Sequence, residues 1–135
     1  MKKKQTSPKK EHLKSKVLID ALFTEGHSLK GGPVVLLWKK VELPADVPIQ
    51  IGFSVPKKRF KKAVDRNRIK RQMREVYRMN QSGLYDLVKE NNVQLALFLL
   101  YRGSKASEFE ALQDKIIVTL NRLENELKKE FRDDQ

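Results

Sequence analysis

Between Asp65 and Arg78 the chain reads DRNRIKRQMREVYR, in which six of fourteen residues are Arg or Lys. Arg66, Lys70, Arg74 and Arg78 recur every fourth residue, so on a helix they make one stripe with a spacing of about one turn, ~5.4 Å. Like charges four residues apart on a helix cost roughly 0.2–0.5 kcal/mol per pair. Stability gives no reason to stack three such pairs; a bound polyanion with charges at comparable spacing does. Arg brings a planar fork that grips phosphate with two hydrogen bonds, and Lys brings a point charge. Asn67, set among these cations, adds a neutral donor and acceptor suited to a 2′-hydroxyl or a base edge. Arg68 and Arg71 extend the cationic side. Ile69, Met73, Val76 and Tyr77 fall in a single arc away from it, which predicts a helix buried on one side and cationic on the other.

The loop before this helix continues the charge. Lys57, Lys58, Arg59, Lys61 and Lys62 place five cations in six residues. Residues 57–78 carry a net +9 and residues 1–16 a net +6, out of +12 for the 135-residue chain. An excess confined to a tail and one segment reads as a footprint for a polyanion, nucleic acid before membrane surface, rather than as a device for solubility.

Other chemistry is thinly represented. There is no Cys, which excludes a disulfide framework, a thiolate nucleophile and Cys-based zinc, and fits a reducing, cytoplasmic setting. The acidic residues gather near the C-terminus as Glu108, Glu110, Asp114, Glu124, Glu126 and Glu130, where they read as a solvated helix face. His12 and His27 stand alone. No Gly-rich phosphate loop is present. No catalytic residue and no tightly bound metal or cofactor is therefore expected on the chain. The longest apolar run, Leu95 to Tyr101, is too short to cross a bilayer, so no membrane partner is expected.

The positioning elements follow from the flanking pattern. Residues 1–14 read as a flexible basic arm, 15–131 as one domain and 132–135 as a tail. Ser15 caps a helix over roughly 16–25 that Gly26 ends in the left-handed conformation. Pro33 to Val41 and Ile49 to Val55 read as strands forming an antiparallel hairpin, with His27 to Lys30 as a brief edge strand. The basic helix spans about 63–80, and Leu84 to Glu90 adds a turn or two. Val93 to Arg102 is apolar throughout, as in a strand covered on both faces. A Ser107/Glu110 capping box opens a last helix over about 108–131. The fold class is α/β, helices on a small sheet. Phe53 and Phe98 read as core; Trp38, beside Lys39 and Lys40, reads equally as core or as a base-stacking surface.

The segment IGFSVPKKRFKKAVDRNRIKRQMRE resembles the signature of the bacterial ribonuclease P protein component. Gly52-Phe53-Ser54-Val55-Pro56-Lys57-Lys58 matches its strand end. Ala63-Val64-Asp65-Arg66-Asn67-Arg68-Ile69-Lys70-Arg71 and Arg74-Glu75 match its R-N-R helix. The resemblance covers about residues 13–130. The connection departs from the family pattern: it reads Arg59-Phe60-Lys61-Lys62, one residue longer and without the usual Gly.

What the resemblance implies is an αβββαβα ribosomal-protein-like fold, an α+β two-layer sandwich with a left-handed strand–helix–strand crossover. It implies a protein, monomeric without RNA, that assembles with a catalytic RNA. That RNA and its Mg²⁺ ions remove the 5′ leader of precursor tRNA. By position, Lys57, Lys58, Arg66, Asn67, Arg68, Lys70, Arg71 and Arg74 would bind the catalytic RNA. Ile19, Phe23, Trp38, Ser54 and Arg102 would line a cleft for the single-stranded leader. The alternative reading is a general RNA-binding or ribosome-assembly module of the same fold, with no role in tRNA processing. A self-sufficient metal-dependent hydrolase is disfavoured by the scattered carboxylates.

Overall fold

A computed structural model describes residues 9–103 and 109–133. Helix α1 spans Lys16–Glu25, strands β1 His27–Gly31, β2 Val34–Lys40 and β3 Ile49–Ser54, helices α2 Ala63–Asn80 and α3 Ser82–Glu90, strand β4 Leu95–Tyr101 and helix α4 Phe109–Asp133. Among the described residues no helix is long and apolar enough to cross a membrane. Ser107 of the expected capping box lies outside the described residues.

The strand order is β1-β2-β4-β3. β1 pairs antiparallel with β2 through a tight turn in which Gly32 takes a φ of 57°, the left-handed region that glycine enters without steric cost. The hairpin expected between β2 and β3 does not form. β4 lies between them, antiparallel to β2 (Trp38 opposite Leu97) and parallel to β3 (Ile51 opposite Leu97). The cause is the composition of β4, which is apolar on both faces and so gains most from a central position. β3 carries Gln50, Gly52 and Ser54 on one face and goes to the edge.

Spanning β4 requires the long 41–48 loop, and one side chain fixes it. Gln94 Oε1 accepts from the Leu43 amide at 2.8 Å, and its Nε2 donates to the carbonyls of Ala45 (3.0 Å) and Val47 (2.8 Å). Loop carbonyls that no strand could satisfy are thus paired.

One sheet face bears Leu36, Ile49, Ile51, Leu95, Leu97 and Leu99, packed against Ile69 and Met73 of α2, Leu84 and Val88 of α3, and Ile116, Leu123 and Leu127 of α4. These are the two main layers. The other face bears Val35, Leu37, Ala96, Phe98 and Leu100; among the described residues the one helix on it is α1, through Leu18, Ile19 and Leu22, with Leu13, Val41 and Leu43 joining the same cluster. A single helix cannot cover that face, so a cleft remains beside it.

Two expectations near α1 change. Ser15 does cap the helix, accepting from the Leu18 amide at 3.2 Å. Gly26, however, is extended (φ −73°, ψ 159°), because the chain passes straight from helix into β1; a Cβ there would stand 2.5 Å from the Leu22 carbonyl oxygen. The arm expected over 1–14 is tied down from residue 9 onward, residues 1–8 lying outside the description. Lys9–Glu11 form one 3-10 turn, His12 makes a parallel bridge with Ile51, and buried Leu13 donates its amide to the Ile51 carbonyl at 3.0 Å. Gln50 Nε2 donates to the Lys10 carbonyl at 2.7 Å. The open edge of β3 recruits this segment because its backbone groups would otherwise go unpaired.

Candidate nucleic-acid interface

Helix α2 is held as its sequence pattern requires. Ile69, Met73, Val76 and Tyr77 are buried on the sheet, and burial pushes the Tyr77 phenol above its ordinary range, so it stays neutral. Asn67, Arg68, Arg71 and Arg74 are exposed and Lys70 is half-buried. No ion pair within the described residues reaches Arg68, Lys70, Arg71 or Arg74. Arg74 lies with its guanidinium 5.4 Å from the centroid of Phe53, a cation–π contact that orients the side chain without cancelling its charge.

Two members of the predicted stripe are used within the chain. Arg78 forks onto Glu75, with Nη2 to Oε2 at 2.7 Å and Nε to Oε1 at 3.3 Å, which neutralises it. Arg66 is half-buried and donates from Nη1 to the Phe60 and Lys61 carbonyls at 2.7 and 3.0 Å. The open ridge is therefore Asn67, Arg68, Lys70, Arg71 and Arg74. Lys57 and Lys58, both exposed, lie in the connection that leaves β3 toward α2.

The second surface is the cleft beside α1. Phe23 is 53% exposed, large for a Phe, and meets Phe98 edge-on with centroids 5.5 Å apart. Phe98 in turn covers Gly52, its partner across the β3–β4 ladder. Ile19 is half-buried against the same face. Ser54 and Arg102 meet at the far end, in a hollow of about 340 Å³ that Lys58, Arg59 and Leu100 also line. Four of the five predicted cleft residues are thus on one face.

Trp38 is the exception. It alternates with Val35 and Leu37 along β2, so it points to the opposite face, into the main core. There it is 3% exposed and stacks on His27 at 4.4 Å between centroids. Its placement in the cleft is corrected by strand parity. Phe98, expected in the core, packs half-buried against the second hydrophobic cluster and meets Phe23 on its open side. The signal available was its shared parity with small Ala96, together with a Gly inside β3, which marks a close approach. Among the described residues, no three or more His, Asp or Glu side chains gather where they could hold a metal ion.

Comparison with known proteins bears on the family and the fold. The family model described as Ribonuclease P matches residues 7–124. The ribonuclease P protein component of Chlorobaculum tepidum is 38% identical over 104 residues, covering 71% of this chain and 67% of that protein. That of Chlorobium phaeobacteroides is 37% identical over 118 residues, covering 80% and 81%. Among solved structures, the RNase P protein of Thermotoga maritima superposes with a TM-score of 0.62 at 26% identity, covering 83% of this chain and 96% of that one. The Staphylococcus aureus RNase P protein gives a TM-score of 0.66 at 21% identity over 84% and 94%, which speaks to the fold. With a family match across most of its length, a cationic ridge on α2 and an aromatic cleft beside α1, the chain belongs to the family of ribonuclease P protein components.

Proposed function

We propose that the chain binds two RNAs at once in the cytoplasm: the catalytic RNA of ribonuclease P through the α2 ridge, and the single-stranded 5′ leader of precursor tRNA through the cleft beside α1. The observation that carries this reading is the ridge of Arg68, Lys70, Arg71 and Arg74, unpaired with any acid among the described residues and fixed by an apolar underside. Phosphates would neutralise its self-repulsion, releasing counterions as they do so. Lys57 and Lys58 extend the ridge. Phe23, Phe98 and Ile19 offer apolar and aromatic faces for unstacked bases, and Ser54 and Arg102 offer a hydroxyl and a cation for the leader backbone.

Hydrolysis belongs to the RNA in this reading. Magnesium ions held by the RNA supply an activated water and neutralise charge at the scissile phosphate. The protein's scattered carboxylates do not fit such ions, and its part is to hold substrate and RNA together against their mutual repulsion. Without RNA it is a monomer. Reconstitution tests the assignment: the purified protein alone leaves precursor tRNA intact, and adding the cognate RNA gives cleavage at low Mg²⁺. Cleavage by the protein alone would overturn it. Equal affinity of the assembled particle for precursor and mature tRNA would point instead to a general RNA-binding module.

A further inference from the structure

The connection between β3 and α2 holds five cations in six residues. Such a segment repels itself and, left alone, extends into solvent. Here it is folded and tied at three points. Phe60 is 7% exposed, its ring set in the main core with its centroid 5.8 Å from that of Tyr101, and its amide donates to the Pro56 carbonyl at 3.2 Å. Arg59 Nη1 donates to the Arg102 carbonyl at 2.6 Å, just past the end of β4. Arg66, one turn into α2, reaches back with Nη1 to the carbonyls of Phe60 and Lys61.

We infer that Arg66 is a positioning residue, which clamps the 56–62 connection so that Lys57, Lys58, Lys61 and Lys62 stand as a preset cationic arc joining the α2 ridge to the cleft. All four lysines are exposed. The side chains between and beside them hold the shape: Phe60 inward, Arg59 onto β4, Arg66 across the turn. Both carbonyls accept from the one nitrogen Nη1, held at the end of a rigid planar guanidinium; a lysine ammonium there keeps the charge, but on a flexible stem that does not fix the approach. Because the arc is ordered before RNA arrives, its conformational entropy is not lost at binding.

This inference rests on the RNA-binding reading, and the test separates the two. Arg66→Lys, Arg66→Gln and Arg68→Ala are compared by hydrogen exchange of the Phe60 amide in the free protein and by affinity for the catalytic RNA across a salt series. The clamp predicts that both Arg66 variants raise Phe60 exchange and weaken RNA binding by roughly fivefold to tenfold, the size expected for one or two lost hydrogen bonds. The salt slope stays within about half a unit of wild type, since the lysines remain available to phosphate. If Arg66→Lys behaves as wild type in both measurements while Arg66→Gln flattens the slope by about 0.7–0.9, Arg66 is a phosphate contact and the inference is overturned. Faster exchange with unchanged affinity also overturns it, because the clamp would then not serve binding. Should Arg68→Ala leave affinity and slope untouched, the α2 reading fails on its own, whatever the exchange data say of the clamp.

Discussion

A Cβ added to Gly52 would stand 2.5 Å from Cε1 of Phe98. The Phe98 ring therefore approaches β3 this closely only because residue 52 has no side chain, and in that position it meets Phe23 edge-on. Gly52→Ala is expected to fold, to lose roughly 1–3 kcal/mol of stability from overpacking, and to displace the ring. Discrimination of the assembled particle between precursor and mature tRNA then falls, while affinity for the catalytic RNA is kept. Thermal melts and paired tRNA-binding titrations check this. Unchanged discrimination would remove Phe98 from the leader site.

On α2, Arg68, Arg71 and Arg74 are exposed and lack acidic partners among the described residues. Each change to Ala should reduce the salt dependence of catalytic-RNA binding by about 0.7–0.9 in the log–log slope, one phosphate's worth. Arg78→Ala removes a charge of the same sign from the same helix. Its guanidinium is already forked onto Glu75, so the slope should change by much less. Equal effects at Arg74 and Arg78 would show that net charge, rather than the open ridge, governs binding.

How far the sequence leads depends on whether a feature is local. The bounds of α1 and α2, the buried arc of α2 and the Ser15 cap rest on periodicity and near-neighbour bonds, and all were legible. Strand partners were not. Nothing local to Val34–Lys40 or Ile49–Ser54 says that Leu95–Tyr101 will separate them; only the two-faced apolarity of that last strand hints at a central place. Trp38 was misplaced for a related reason. The parity of β2 was available, but not which face α1 would cross. Periodicity puts Arg66 and Arg78 in the ridge because it gives an angle around a helix and not the partner a long side chain finds. Glu75 was close enough in sequence to reveal the Arg78 pair, whereas the carbonyls gripped by Arg66 belong to a turn whose shape only the fold defines.

The corrected position of Trp38 makes its own prediction. Its ring lies in the core and its Nε1 is buried with no hydrogen-bond partner. Trp38→Phe keeps most of the apolar contact and removes an unpaired donor but leaves a small cavity, so its stability cost should be about 1–2 kcal/mol. Trp38→Ala should cost roughly 3–5 kcal/mol. Leader discrimination is expected to survive Trp38→Phe unaltered. A selective loss of precursor binding in that variant would return Trp38 to the cleft.

His12 links the N-terminal segment to the β3 edge of the sheet, and it makes stability depend on pH. Its Nε2 is buried without a partner. Its pKa lies below the usual 6.5, first through desolvation and then through the positive charges of Arg74 and Lys14, with Glu11 opposing. Tyr77 and Tyr85, which line the small cavity beside it with Arg74 and Glu11, are both pushed up by burial and stay neutral across the acid range. A histidine with a lowered folded-state pKa binds its proton more readily when unfolded. Its contribution is therefore whole above pH 6.5 and declines as pH falls below that value. The first bonds to yield should be the His12–Ile51 bridge and the Leu13 amide to the Ile51 carbonyl, since a charged imidazole there would face Arg74 with no acceptor. Melting temperatures measured from pH 7.5 to 5 should fall more steeply for wild type than for His12→Gln, and exchange of the Leu13 amide should rise over the same interval. Parallel pH profiles for the two proteins would show that His12 stays neutral, or stays solvated, throughout.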